Sequence, residues 1–321
     1  MRLAANDTDV AAAELDGRGR GGLAPSLAAW GWAYIGRQAA FKLSADAAGY
    51  YHRAWDQLSA ADTKAPGWSD ETLAWGVRAS LRATRAVDGW PLVLHAVAAM
   101  SPAEQANPSW VYWRARALQG TAKAGTPGDE QRTEARRLLE SVAGPLGFYP
   151  QLAAEDLGQP LALPAVPAPS TPAERDAVRQ SPGLTRALQL AAIGLRDEGR
   201  REWNFTLRGM GDRELLAAAR LACEVSDWQI CINTSERTRS ELDVATRYPM
   251  PYGNDIPRAA TAAGLDPALV FGLIRQETRF MSQIKSHVGA SGLMQLMPAT
   301  ARYMAKRVGL ANYRPEHVYD N

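Results

Sequence analysis

Over roughly the first 160 residues, apolar positions recur every three or four residues between short polar breaks, which predicts consecutive amphipathic helices. Trp32, Tyr34, Trp55 and Leu58 mark the inner faces of the first of them. A degenerate repeat follows. Trp75 precedes Arg78, Ala79 and Leu81, and Trp113 precedes Arg114, Ala115, Arg116, Ala117 and Leu118, with the break MSPAEQANPSW between them. The two tryptophans lie 38 residues apart, within the range of helix-turn-helix repeats that hide their apolar sides only by stacking on a neighbour. The prediction for this half is an α-solenoid. Eight of the ten tryptophans precede residue 114, which suits either the stacking of sugar rings or a helical core. The helical spacing of Trp32, Trp75 and Trp113 makes them expected core residues.

The pattern stops at PLALPAVPAPSTP, residues 160 to 172, where five prolines remove backbone donors and block a continuous helix. Helical periodicity returns over 173 to 245, in SPGLTRALQLAAIGL, in GDRELLAAARLACEVSD with Asp212 as the expected cap, and in WQICINTSERT. Prolines 249, 251 and 257 interrupt it again. The expected organisation is therefore a superhelical domain over 1–160, a linker over 161–172, a small helical domain over 173–248, and a distinct domain from 249. Cys223 and Cys231 face each other across LACEVSDWQIC as two buried thiols or as a disulfide across the turn. Two buried thiols are the expected state, because free cysteine is often a core residue.

Composition narrows the function classes. Thirty-six basic and 34 acidic side chains give a net charge of +2, too weak a field to favour nucleic acid or an anionic membrane as partner. No stretch is long and apolar enough to span a bilayer, and the start MRLAANDTDV has no apolar core of an export signal. The histidines at 52, 95, 287 and 317 and the two cysteines are too few and too scattered for a structural zinc cage, so a metalloenzyme is not expected.

Candidate chemistry concentrates between 266 and 298. Asp266 followed by Pro267 predicts a helix start, and the helix is expected to run to about Phe280. Leu269, Val270, Leu273 and Ile274 read as its apolar stripe, and the same spacing leads on to Glu277. A glutamate in line with a buried face keeps its proton to higher pH, as a general acid requires. The competing reading is an ion pair of Glu277 with Arg275, Arg279 or Lys285. In SHVGASGLMQLMPAT, Gly289 and Gly292 permit positive φ or close backbone approach, Ser286 and Gln295 bring neutral hydrogen-bonding groups, and Met294 and Met297 bring adaptable apolar surface. That mixture fits a neutral polyhydroxylated ligand. Taken singly, Ser286 also reads as a cap, Gln295 as a solvated group and the methionines as core filler. Pro298 opens a further helix that Gly309 can close.

The spacing of Glu277, Ser286, Gly289-Ala290, Gly292-Leu293-Met294-Gln295 and Pro298 resembles the opening motifs of the soluble lytic transglycosylases that cleave peptidoglycan. The resemblance extends loosely to the whole domain order: helical superhelix, proline-rich crossing, small linker domain, lysozyme-like domain. It implies an all-α fold, a periplasmic location and peptidoglycan glycan strands as the substrate. Glu277 would be the one catalytic carboxyl, first acid and then base, closing a 1,6-anhydro ring on N-acetylmuramic acid without water and with no metal or organic cofactor, and Ser286, Gln295 and Met297 would line the sugar sites. Thr278 stands where the family usually has serine. The family's later Ala-Tyr-Asn-Ala-Gly type motif does not occur in these 321 residues, and together with the missing export signal the resemblance implies a chain truncated at both ends. Two other classes remain: a goose-type lysozyme that delivers water to the anomeric carbon, and a helical scaffold without activity.

Overall fold

The computed structural model describes residues 1–19, 22–83 and 86–319. The chain forms two compact units, Met1–Ala162 and Leu163–Asn321. The fold is all-α, and among the described residues the only β pairing consists of two isolated bridges, Lys285 to Ser291 and Ser291 to Leu296.

The first unit contains α1 (Arg2–Asn6), α2 (Thr8–Gly19), α3 (Pro25–Phe41), α4 (Ala47–Asp56), α5 (Asp70–Arg82), α6 (Ala86–Ala99), α7 (Pro102–Gln105), α8 (Pro108–Thr121), α9 (Thr126–Val142) and α10 (Phe148–Asp156). Ser69, Ser101 and Asn107 start α5, α7 and α8 by accepting first-turn N–H groups. Each hairpin packs on the next, α3 on α4 and α5, α5 on α6, α6 on α8, and α8 on α9, which is the predicted solenoid. Tyr51 shows how closely the helices approach. Its ring lies between Gly36 and Gly76, where an added Cβ would come within 2.8 and 3.1 Å of it, and its hydroxyl donates to the Thr72 carbonyl at 2.7 Å. Trp32 is buried in this core, while Trp75 and Trp113 are half-buried along its edge.

The second unit begins with the irregular proline-rich segment and continues through α11 (Pro172–Gln180), α12 (Pro182–Ala192), α13 (Arg196–Thr206), α14 (Asp212–Glu224), α15 (Trp228–Ser235) and α16 (Val244–Arg247). It ends with α17 (Asp255–Ala262), α18 (Pro267–Thr278) and α19 (Pro298–Arg307). Trp203, Leu184, Leu207, Leu215 and Ile230 build one core, and Ile232, Ile256, Ile274 and Phe280 a second. Two expectations are corrected here. Cys223 and Cys231 form a disulfide, because the turn after α14, with Ser226 at φ 60°, brings their Cα atoms to 5.2 Å. Asp212 does not cap α14. Gly211 takes that position, and the Asp212 carboxylate accepts instead from the backbone N–H groups of Arg239, Ser240 and Glu241 and from the Ser240 hydroxyl.

Arg213 fastens the proline-rich segment to this unit. It donates to Glu174 at 2.8 Å, to Glu241 at 3.0 Å and to the carbonyls of Ala168 and Pro169, backbone acceptors that no regular ladder uses. The Arg213 bond, followed by the Thr171 N–H, pulls the Glu174 carboxyl down to about 2. The Ser240 hydroxyl, followed by the N–H groups of Glu241 and Ser240, holds Asp212 lower still. A carboxyl held below its unfolded value stabilises the fold fully above that value and loses the contribution as pH falls towards the folded one. Melting temperature is therefore expected to drop as pH goes from 4.5 to about 2, and Glu174→Gln should flatten part of the slope, measured by circular dichroism melts across that range.

Candidate functional site

Asp266 caps α18 as expected, its Oδ1 accepting the Ala268 N–H at 2.8 Å, with Pro267 in the first turn. The helix ends at Thr278, two residues earlier than predicted, because Arg279 and Phe280 adopt positive φ, 51° and 65°. The face turned inward is also different from the predicted stripe. Val270, Phe271 and Ile274 pack in one cluster with Ile232 of α15 and Ile256 of α17, and Thr278 is buried, whereas Leu269 and Leu273 are 64% and 42% exposed. Glu277, four residues after Leu273, shares that outer face and is exposed. The expectation of a buried glutamate is therefore corrected: of two apolar stripes on α18 only one is covered, and Glu277 follows the other.

The ion-pair reading of Glu277 does not hold either. Arg275 and Arg279, two residues before and after it, project to the opposite side of the helix. Arg275 donates to Glu236 at 2.7 Å and to the Arg247 carbonyl at 2.9 Å, and its guanidinium lies 4.5 Å from the centre of the Tyr248 ring. Arg279 donates to Glu236 at 2.8 Å and to Asn233. Burial pushes the Glu236 carboxyl up, but Arg279 and Arg275 outweigh it and hold it below its ordinary range. Sequence reasoning missed Glu236. Its only signal was two arginines on the far side of α18 with no acid on that face of the helix. Among the described residues Glu277 has no hydrogen-bond or ion-pair partner.

The 284–297 segment is a tight coil against the end of α18. The buried Thr278 hydroxyl donates to the Leu293 carbonyl at 2.9 Å, so threonine supplies the hydroxyl that serine would. Gly289, Gly292 and Gln295 all have positive φ, 95°, 75° and 48°. Ser286 closes the first turn, its Oγ accepting the Ala290 N–H at 3.0 Å, and Gln295 folds back so that Nε2 donates to the Gly292 carbonyl at 3.1 Å. Met294 and Met297 are 40% and 43% exposed. The coil thus attaches to the helix residue beside Glu277 and presents the two methionines outward, with Ser286 and Gln295 half-buried and committed to the turn itself. Gly292 is the position with least latitude. A Cβ there would lie 2.1 Å from the Val318 carbonyl oxygen. Gly292→Ala is expected to cost about 2 kcal/mol or more, because positive φ and a backbone clash act together. Thermal denaturation against the parent checks this, and an unchanged melting temperature contradicts it.

With this geometry in view, residues 255–321 match the Transglycosylase SLT domain and residues 177–239 the soluble lytic murein transglycosylase L domain. In both stretches the chain is similar to soluble lytic murein transglycosylases. It is 28% identical over 205 residues to the soluble lytic murein transglycosylase of Salmonella typhimurium, a match covering 64% of this chain and 30% of that protein. A transglycosylase of Enterobacteria phage PRD1 is 40% identical over 72 residues, 22% of this chain and 26% of the phage protein. Among solved structures, an inactive glutamate-to-glutamine mutant of the lytic transglycosylase Slt from Pseudomonas aeruginosa superposes with a TM-score of 0.75 and 27% identity, over 99% of this chain and 49% of that one. These matches thus cover less than half the length of each of these relatives. The coil that carries Gly289, Gly292 and Gln295 lies within the residues that match the SLT domain, and the helices around Trp203 lie within those that match the L domain.

Proposed function

We propose that the protein is a peptidoglycan lytic transglycosylase and that Glu277 is its catalytic carboxyl. The observation that carries the assignment is the placement of Glu277: at the end of α18, exposed, without a partner among the described residues, and one residue from the Thr278–Leu293 bond that fixes the adjoining coil. A carboxyl free of internal partners is available to a substrate. The matched SLT domain and the glutamate-to-glutamine inactive relative support a glutamate in this role.

The chemistry that follows uses one carboxyl group. Protonated Glu277 donates to the oxygen linking N-acetylmuramic acid to N-acetylglucosamine, and that bond breaks with the electron pair leaving on oxygen. The substrate's acetamido group stabilises the cation developing at C1. The Glu277 carboxylate then accepts the proton of the C6 hydroxyl as O6 bonds to C1, closing the 1,6-anhydro ring and returning Glu277 to its acid form. Water is neither consumed nor released, and the second carboxyl that ordinary glycosidases need has no step to perform.

Met297 and Met294 supply apolar surface for sugar faces beside Glu277, while Ser286 and Gln295 act through the shape of the coil and through their remaining hydrogen-bonding capacity. We assign the 161–172 segment as the linker, 173–248 as the L-type domain and 249–321 as the domain that carries the acid. The Cys223–Cys231 disulfide supports an oxidising compartment, in keeping with the periplasm. Among the described residues no helix is long and apolar enough to cross a membrane. Incubation with purified murein sacculi tests the activity: release of soluble muropeptides is expected, and intact sacculi after prolonged incubation with the longest available form of the protein contradict it.

A further inference from the structure

The first unit holds a groove of about 600 Å³ between α5, α8 and α10 to which the reaction assigns nothing. Arg78 lies on its wall. The guanidinium lies 4.9 Å from the centre of the Trp75 ring and 5.4 Å from that of Trp110, and it makes no ion pair or hydrogen bond with any described residue. Two indole faces therefore hold a cation in place without neutralising it.

The carboxylates lining the groove are only partly used. Asp70 accepts the Ser101 N–H through Oδ1 at 2.8 Å, and Glu104 accepts the Trp110 indole N–H through Oε2 at 2.7 Å. Their other oxygens, Asp70 Oδ2 and Glu104 Oε1, accept nothing from the described residues. Glu71 is paired with Arg37 at 2.7 Å. The Trp113 ring adds a half-buried apolar wall. The groove thus offers one unneutralised guanidinium and two half-used, fixed carboxylates.

A simple anion would meet repulsion from Asp70 and Glu104, and a simple cation would meet Arg78. A head group with carboxylate and ammonium on neighbouring atoms satisfies both charges. We infer that this groove binds a short peptide through a zwitterionic amino-acid head group, the carboxylate on Arg78 and the ammonium on Asp70 and Glu104. The choice of peptide rests on the murein reading, since peptidoglycan stems containing a diamino acid carry such a head group. The groove would then hold the peptide part of a polymer whose glycan part is cut elsewhere, as suits the face of a solenoid.

The probe is the synthetic tripeptide L-alanyl-γ-D-glutamyl-meso-diaminopimelate, titrated into the 321-residue chain and followed by calorimetry and tryptophan fluorescence. Saturable binding is expected. Arg78→Gln and Glu104→Gln should each weaken it about tenfold or more, as loss of a charge-assisted hydrogen bond requires. Glutamine at 104 keeps an acceptor for Trp110, so its effect reads the charge and not the fold. Acetylating the free side-chain amine of the tripeptide should weaken binding to the unaltered protein to a similar degree, a comparison independent of any variant. No saturation at about 10 mM, or binding indifferent to both the substitutions and the acetylation, overturns the inference. Release of muropeptides from sacculi without tripeptide binding overturns this inference alone, and tripeptide binding without such release overturns the catalytic reading alone.

Discussion

Glu277→Gln is expected to remove lytic activity by at least about 10²-fold while leaving circular dichroism and melting temperature unchanged, because the amide keeps the shape of the side chain but has no acidic proton to give. The structure makes the stability half of this expectation firm. Glu277 is exposed and holds no described neighbour, so neither packing nor an ion pair is lost with the charge. Activity belongs to any form of the protein that releases muropeptides, and the comparison is made in that form. Turnover within tenfold of the parent would move the catalytic role to another group. Loss of activity accompanied by unfolding would show that Glu277 has a structural partner.

Trp203→Ala is expected to have the largest effect on stability. The ring is 1% exposed in the core of the L-type domain, and its Nε1 donates to the Thr234 hydroxyl at 2.9 Å. Removing a buried indole typically costs about 3 to 5 kcal/mol, the lost transfer energy plus a cavity. Trp203→Phe should cost less, about 1 to 2 kcal/mol, since it keeps most of the ring and loses the hydrogen bond. The effect reaches the site through α15. Thr234 lies on that helix beside Asn233, and Asn233 and Glu236 hold the far side of α18 through Arg275 and Arg279. Urea denaturation of the three proteins checks the order, and equal midpoints for parent and Trp203→Ala would contradict it.

The parts of the fold that local chemistry decides were legible in the residues. Asp266-Pro267 starts a helix wherever it stands, since a capping carboxylate and a missing N–H suit a first turn. Gly292 announced a close approach, and the Val318 carbonyl occupies that space. The solenoid followed from a recurring apolar face that has to find a neighbour. What depends on the tertiary neighbour was not legible. Helix α18 carries apolar residues on more than one face, and periodicity does not say which of Leu273 and Ile274 will be covered, so the spacing alone puts Glu277 on the wrong side. The Glu236 clamp joins residues about 40 apart in sequence, and no spacing rule links them. The disulfide depended on the turn geometry that brings Cys223 and Cys231 together, which composition does not report. Ser286 and Gln295 suit a ligand by residue type, and in the structure each also builds the coil it sits on.

Digestion of murein sacculi in water enriched in heavy oxygen tests the one-carboxyl mechanism most directly. If the Glu277 carboxyl both gives and takes the proton and the C6 hydroxyl is the nucleophile, mass spectrometry will find muropeptides lighter by one water than reducing-end products, with no heavy oxygen incorporated. Products with a reducing end that carry one heavy oxygen would show that water attacks the anomeric carbon, and would make the protein a hydrolase.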